Sequence, residues 1–541
     1  MPMPFKMVVH GLEDWRLVTL KTLDGFSIPM SANLFATATI GLTLLAFFVI
    51  PYLLSPLRSI PGPFLARYTN LYRLYHTTRG SFHLHIARLH KRYGPVVRIG
   101  PNTVDIDYPE LIKVVFGTTT KQKAEWKKTE FYLSSSTRVK ETGEIMYNLF
   151  SQINPELHAK WKRPVAKYYS AAAVARVEGK VDEVVDMLCR ELDKRLCGDL
   201  GYGGLDLGEW IVYYTWDVIG NVTFSQPLGY LREGRDFDGT LSTADKTLDY
   251  FAFITSIPWL DYVFDKNRIM RIGPPSFNHI VGLSVGHVMK RFQEESTEQK
   301  SRGVDYLDMF LEARQDWPEV VDDAMIIRYT LSNMIAGADT TSSIIKTAVY
   351  YSIKTEGRWE KLRAELEKSG INRGKCPVSY KDARSVPYLE GLVRESMRIL
   401  PGIALGLERY VPTGGFKLPS EHYLPEGTAV AMNPYVLSRN KKIWGVDVDE
   451  FKPERWLRAD GESETSYQER LQMMNNADLT FGAGSRICLG KHLALAQIYK
   501  GLATMALLYN VEPVDKAKEW KVINSFFVRQ EGLDIKLTKR T

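Results

Sequence analysis

The stretch Phe481-Gly482-Ala483-Gly484-Ser485-Arg486-Ile487-Cys488-Leu489-Gly490 constrains this chain more than any other. Glycine is costly in backbone entropy, and a run this rich in it is tolerated where the chain turns sharply or passes close to a bulky group. Cys488 stands at the entry to an apolar, helix-like run from Leu489 to Leu508. There, free N–H groups and the positive end of the helix dipole favour a thiolate over a thiol. A lone buried cysteine is more often a small hydrophobe. Gly482-Ala483-Gly484 also begins like a dinucleotide fingerprint, but Ile487 occupies the third glycine position and too little chain follows to build a nucleotide-binding half.

The reading adopted is that Cys488 is the axial thiolate of a haem iron, a ligand that pushes electron density onto iron and favours O–O cleavage. The loop resembles, at every fixed position, the haem-binding signature F-x-x-G-x-R-x-C-x-G of the cytochrome P-450 family. By that resemblance Cys488 ligates iron, Arg486 pairs with a haem propionate and Phe481 packs near the sulfur. Gly484 and Gly490 let backbone pass close to the porphyrin.

At 541 residues and 45% hydrophobic composition the chain can bury one large core. Cys189, Cys197, Cys376 and Cys488 show neither metal-finger spacing nor a disulfide framework, which suits a reducing compartment. The formal net charge of +7 fits a solvated basic surface, or one that docks an acidic partner protein. Lys and Arg are spread along the chain without a recognised motif, so nucleic acid is not an expected partner.

Between Asp24 and Arg58 no charged residue occurs, and residues 34–54 are almost wholly apolar. A helix of that length at ~1.5 Å per residue crosses a bilayer, and Pro51 near its end would kink rather than exclude it. The segment is too long and starts too late for a cleaved signal peptide. Arg58 and Arg67 follow it, so the positive-inside rule places residues 1–33 in the lumen and the body in the cytosol. The expectation is a single-pass protein of the endoplasmic reticulum membrane. Pro56, Pro61, Gly62 and Pro63 then make residues 55–67 a stiff hinge, as in microsomal members of the family. The catalytic domain is expected over 68–541.

Val96–Ile99 and Thr103–Ile106 read as short strands, and long helical stretches dominate the remainder. His158-Ala159-Lys160-Trp161-Lys162-Arg163 falls where the family usually shows W-x-x-x-R beside the propionates. Here His158 and Lys162 hold those two positions, so a bidentate guanidinium contact becomes a point charge, with Arg163 as a compensating candidate. Asn221-Val222-Thr223 is a formal glycosylation sequon, expected to be unmodified in a cytosolic domain.

Asp322 to Lys354 reads as one long helix carrying Ala336-Gly337-Ala338-Asp339-Thr340-Thr341. An interior glycine costs about 1 kcal/mol against alanine, and a threonine hydroxyl can bend a helix. The segment resembles the family's A-G-x-D/E-T turn on the distal haem face, which implies Asp339 and Thr340 as a proton relay for O2 chemistry. Tyr388 to Leu400 is a helix with Glu395 and Arg398 on one face. With Phe451-Lys452-Pro453-Glu454-Arg455-Trp456 it resembles the E-x-x-R and P-E-R-F elements. By carry-over Glu395, Arg398 and Arg455 form a charge-assisted network, Trp456 replaces the usual phenylalanine, and Arg409 is a propionate partner.

The fold implied is mainly α, the helical haem-thiolate fold with a small β-rich region, preceded by one transmembrane helix. Residues 433–447 and 451–457 resemble filamentous-fungal members, including the pisatin-demethylase-like group. The expected activity is insertion of one oxygen atom from O2 into a lipophilic small molecule, in secondary-metabolite biosynthesis. Haem b is the cofactor, with electrons from NADPH through NADPH-cytochrome P-450 reductase, and cytochrome b5 as a further electron donor. By family position the pocket draws on 131–150, the long helix, 403–407 and 525–527, where Phe526 and Phe527 suit a lipophilic, uncharged substrate. The alternatives are a haem-thiolate isomerase or dehydratase, a xenobiotic-detoxifying monooxygenase, and a non-catalytic haem or lipid-binding membrane protein.

Overall fold

The structure, a computed structural model, describes residues 5–9, 17–22, 27–117, 125–138, 142–196, 205–267, 269–270, 272–273, 278–295 and 304–540. Cys197 lies outside them.

The helix Asp339–Lys354 is the axis of the molecule, buried along most of its length. It packs against the helices Leu207–Phe224, Pro387–Ile399 and Lys491–Leu508, themselves largely buried. Their buried polar groups, among them Ser343, Thr347, Glu395 and Arg398, are hydrogen-bonded within the core. The expected helix from Asp322 to Lys354 is in fact two. Asp323–Ala336 ends at Gly337, and Asp339–Lys354 restarts after Ala338. The break has a local cause, since the Thr340 and Thr341 hydroxyls bond back to the Ala336 and Gly337 carbonyls, each at 3.0 Å. Gly337 is also forced by packing, because a Cβ there would lie 2.5 Å from Ile219 Cδ1.

A four-stranded sheet runs Val96–Gly100, Thr103–Ile106, Ala429–Met432 and Leu407–Tyr410, with the two middle strands parallel. It carries Arg409 on its outer strand, opposite Val430.

No helix among the described residues is long and apolar enough to cross a membrane. Residues 32–54 are helical in three abutting pieces, an α-helix Ala32–Leu44, a π-turn Leu45–Val49 and an α-helix Ile50–Leu54. Pro51 has no N–H for the carbonyl one turn back, and the turn before it widens. A three-stranded antiparallel sheet, Phe5–Val9, Leu17–Thr22 and Ser27–Ser31, precedes them. Residues 55–67 pack against the four-stranded sheet. Leu57 and Ile60 are buried beside Val96 and Val104, and the Arg98 backbone N–H donates to Pro61 O at 2.7 Å.

Candidate active site

The cysteine loop is held by its own backbone. Cys488 N–H donates to Phe481 O at 2.8 Å, and Gly482 and Gly484 take φ of +69° and +63°. At Gly484 the demand comes from the protein itself, since a Cβ there would meet Phe116 O at 1.7 Å. At Gly490 the nearest atom to such a Cβ is the Cys488 sulfur at 4.0 Å, ordinary contact. Cys488 opens into an internal cavity of about 850 Å³. Burial pushes its thiol pKa up; the Gly490 and Lys491 backbone N–H groups and the Lys491 and Lys162 charges pull the other way. The helix entry therefore does offer the sulfur the donors expected from sequence, with Lys491–Leu508 starting two residues later than read.

Phe481, Thr340, His158, Lys162, Arg409 and Arg486 all line the same cavity. Arg486 donates to Gln152 O at 2.7 Å, and burial followed by the Arg409 charge lowers its pKa to about 10. Lys162 donates to Ser485 O at 2.8 Å, at the mouth of the cysteine loop. Arg409 donates to Tyr132 Oη at 2.9 Å. His158 is buried and pushed down to about 3, first by desolvation and then by Arg486, Lys128, Lys162 and Arg409. It faces the cavity as a neutral ring. Arg163 is exposed and stacks over Trp317 at 5.1 Å, outside the cavity.

Sequence reasoning missed Lys128. It is buried, its Nζ donates to Phe150 O at 2.6 Å, and it lies over the Tyr132 and Phe150 rings at 4.1 and 4.5 Å. Desolvation holds its pKa well below the usual lysine range. No motif marks this residue; its only signal is the backbone bridge to Arg409 that brings it there.

Among the described residues Lys128, Lys162, Arg409 and Arg486 have no salt-bridged carboxylate. Buried charge without a counterion costs several kcal/mol, so this cavity fits an occupant that brings acidic groups of its own. Haem, with two propionates and an iron for the Cys488 thiolate, meets that demand.

Asp339 and Thr340 separate in space. Thr340 lines the cavity, whereas Asp339 points behind it and accepts from Trp216 Nε1 at 3.0 Å. Burial raises the Asp339 pKa, opposed by the Trp216 bond and by the charges of Lys346 and Arg529. Glu395, Arg398 and Arg455 do come together. Arg398 grips Glu395 in a fork, Nε to Oε2 and Nη2 to Oε1, both at 2.8 Å, with almost no exposure on either side. Arg455 Nε lies 3.4 Å from Glu395 Oε1, and Trp456 Nε1 donates to Oε2 at 2.9 Å. The network clamps the Pro387–Ile399 helix to the Pro453–Trp456 turn.

A cysteine on a glycine loop, a broken central helix lining the same cavity and a set of cations with no salt-bridged carboxylate among the described residues fit a haem-thiolate enzyme. The family model "Cytochrome P450" matches residues 60–537. The chain belongs to the cytochrome P450 family and is a haem-thiolate monooxygenase. It is similar to the cytochrome P450 monooxygenase cfoH of Aspergillus candidus, 43% identical over 97% of this chain and 94% of that one. It is also similar to pkfB of Emericella nidulans, 34% identical over 89% of this chain and 91% of that one. With mpaDE of Penicillium brevicompactum the identity is 32% over 89% of this chain, but the match takes up 55% of that protein.

Proposed function

We propose that this chain binds haem b on Cys488, takes electrons from NADPH through a flavoprotein reductase, with cytochrome b5 as a further donor, and oxidises a lipophilic intermediate of fungal secondary metabolism. The observation that carries this reading is that Cys488, Thr340 and a group of cations with no salt-bridged carboxylate among the described residues line one cavity. Bound haem supplies the redox chemistry that activates dioxygen.

The chain's residues supply the rest. Arg409, Arg486, Lys128 and Lys162 would hold the propionates, and neutral His158 would offer one N–H in place of the family's tryptophan. Thr340 Oγ1 donates to Ala336 O in the resting turn and presents its lone pairs to the cavity. Swinging off that carbonyl lets it pass a proton inward. Asp339, out of the cavity on Trp216 and biased toward the protonated form by burial, would join that relay only by turning its carboxyl toward Thr340.

Membrane attachment at the endoplasmic reticulum is part of the proposal, with residues 1–33 lumenal, 34–54 as the anchor and the remainder cytosolic. Its support is that Ile40, Leu42, Leu44, Leu53 and Leu54 are exposed large apolar side chains on residues 32–54; unpaired apolar surface of this extent seeks lipid.

Comparing metabolites of cells with and without this gene tests the function. Accumulation of a compound lacking one oxygen, or keeping a methyl group absent from the product, supports oxidation. Accumulation of an isomer or hydrate of the missing product would instead make the enzyme an isomerase or dehydratase.

A further inference from the structure

One cation in the cavity stands apart from the propionate group. Arg138 lines the cavity where the short hairpin Thr137–Arg138 with Ile145–Met146 meets the turn after the helix Asp261–Phe264. Its Nη1 donates to Lys266 O at 2.6 Å, which is its one hydrogen bond. Nε and Nη2 have no partner among the described residues, and no carboxylate pairs with the guanidinium. Asp265, the nearby acid in the lining, lies 3.9 Å from Lys266 Nζ and has a further partner of its own. Ser134, on the same stretch and in the same lining, is 8% exposed, and its buried hydroxyl has no hydrogen-bond partner. The lining that holds this polar edge and Thr340 also carries aromatic rings. Phe251 meets Phe526 edge-on at 5.0 Å, and Phe150 meets Phe526 at 5.5 Å.

A guanidinium with a free fork edge, a spare hydroxyl and a wall of phenyl rings match one ligand chemistry. The fork suits a carboxylate, which accepts two parallel N–H bonds, and the rings suit a flat apolar body packed edge to face. We propose that Arg138, with Ser134, forms an acid-binding subsite, and that the substrate of this enzyme is a lipophilic aromatic carboxylic acid whose carboxylate is held there. Arg138 is a specificity-determining residue in this scheme; it orients the aromatic body toward Thr340. This rests on reading the cavity as the substrate site of a haem-thiolate monooxygenase, and it replaces the uncharged substrate expected from sequence.

The test uses purified holoenzyme and two probes of the same shape, biphenyl-4-carboxylate and its methyl ester, with affinities measured by equilibrium dialysis. The wild type is expected to bind the acid about tenfold more tightly than the ester, the scale of one charge-assisted contact. Arg138→Gln should abolish that preference and leave ester affinity unchanged, while Arg138→Lys keeps part of it. An acid that binds no better than the ester, a preference that survives Arg138→Gln, or an equal loss for both probes would each overturn the proposal. The carbon monoxide difference spectrum of the same holoenzyme separates the two readings. Loss of the thiolate-haem band on Cys488→Ala supports the haem site whatever the acid preference, and its persistence refutes the haem site alone.

Discussion

Lys128 and Arg409 meet through their backbones in an isolated antiparallel β-bridge, and their side chains deliver two positive charges to one cavity wall. Each charge disfavours the other: Arg409 is the first charged neighbour to lower the Lys128 pKa, after burial itself. No carboxylate among the described residues pairs with either side chain, which suits the acidic groups of the proposed cofactor.

Lys128→Met should therefore weaken haem retention while relieving the haem-free chain of a buried charge. We expect haem affinity to fall about tenfold, the scale of one charge-assisted contact, with the haem-free chain no less stable. Haem-to-protein ratio after dilution and gel filtration measures the first. Unfolding of the haem-free chain measures the second.

Thr340→Val keeps the shape of the broken turn and removes the hydroxyl. Product formed per NADPH consumed should drop by about 10², the low end for a lost proton-transfer step. Thr340→Ser should restore most of it. Equal coupling in Thr340→Val and wild type would remove Thr340 from the relay.

Trp456→Phe restores the family's usual residue but deletes a hydrogen bond to the buried Glu395 carboxylate. A loss of about 2 kcal/mol is expected for one donor to a charged acceptor. Glu395→Gln should cost more, about 3–5 kcal/mol, because Arg398 is left buried without its counter-charge, while Arg455 keeps Asp447 at 2.8 Å. Denaturant midpoints of the two variants give the order.

His158 gives a pH signature. Its folded pKa of about 3 lies below the ordinary histidine value of 6.5, so the unfolded chain binds the proton first as pH falls. Stability from this group is complete above 6.5 and is lost between 6.5 and about 3. At one unit below the unfolded value the loss is about 1.4 kcal/mol. His158→Gln should flatten that part of the curve; unfolding midpoints at neutral and mildly acidic pH measure it.

Asn221 is a sequon that the fold closes. It is 1% exposed, and its Nδ2 donates to Lys180 O at 2.8 Å and to Glu183 Oε2 at 2.9 Å. Gel mobility should not change on deglycosylase treatment.

The chemistry was legible wherever it is carried by neighbours in sequence. The cysteine, its glycines and the helix that follows sit within one turn-and-helix segment. The Glu395–Arg398 pair follows from helical spacing alone, and Gly337 with Thr340 announced a weakened helix. What the sequence did not decide was how charges and rings from distant segments converge. Lys128 belongs to the site only because its strand edge lies against Arg409, and Arg163, beside Lys162 in sequence, turns outward onto Trp317. Asp339 and Thr340 are adjacent, yet successive helix positions point about 100° apart, so one faces the cavity and the other faces Trp216. Local spacing determines which chemistry the chain carries; burial and long-range packing decide which of those groups are left without a partner and hence available to a cofactor or substrate.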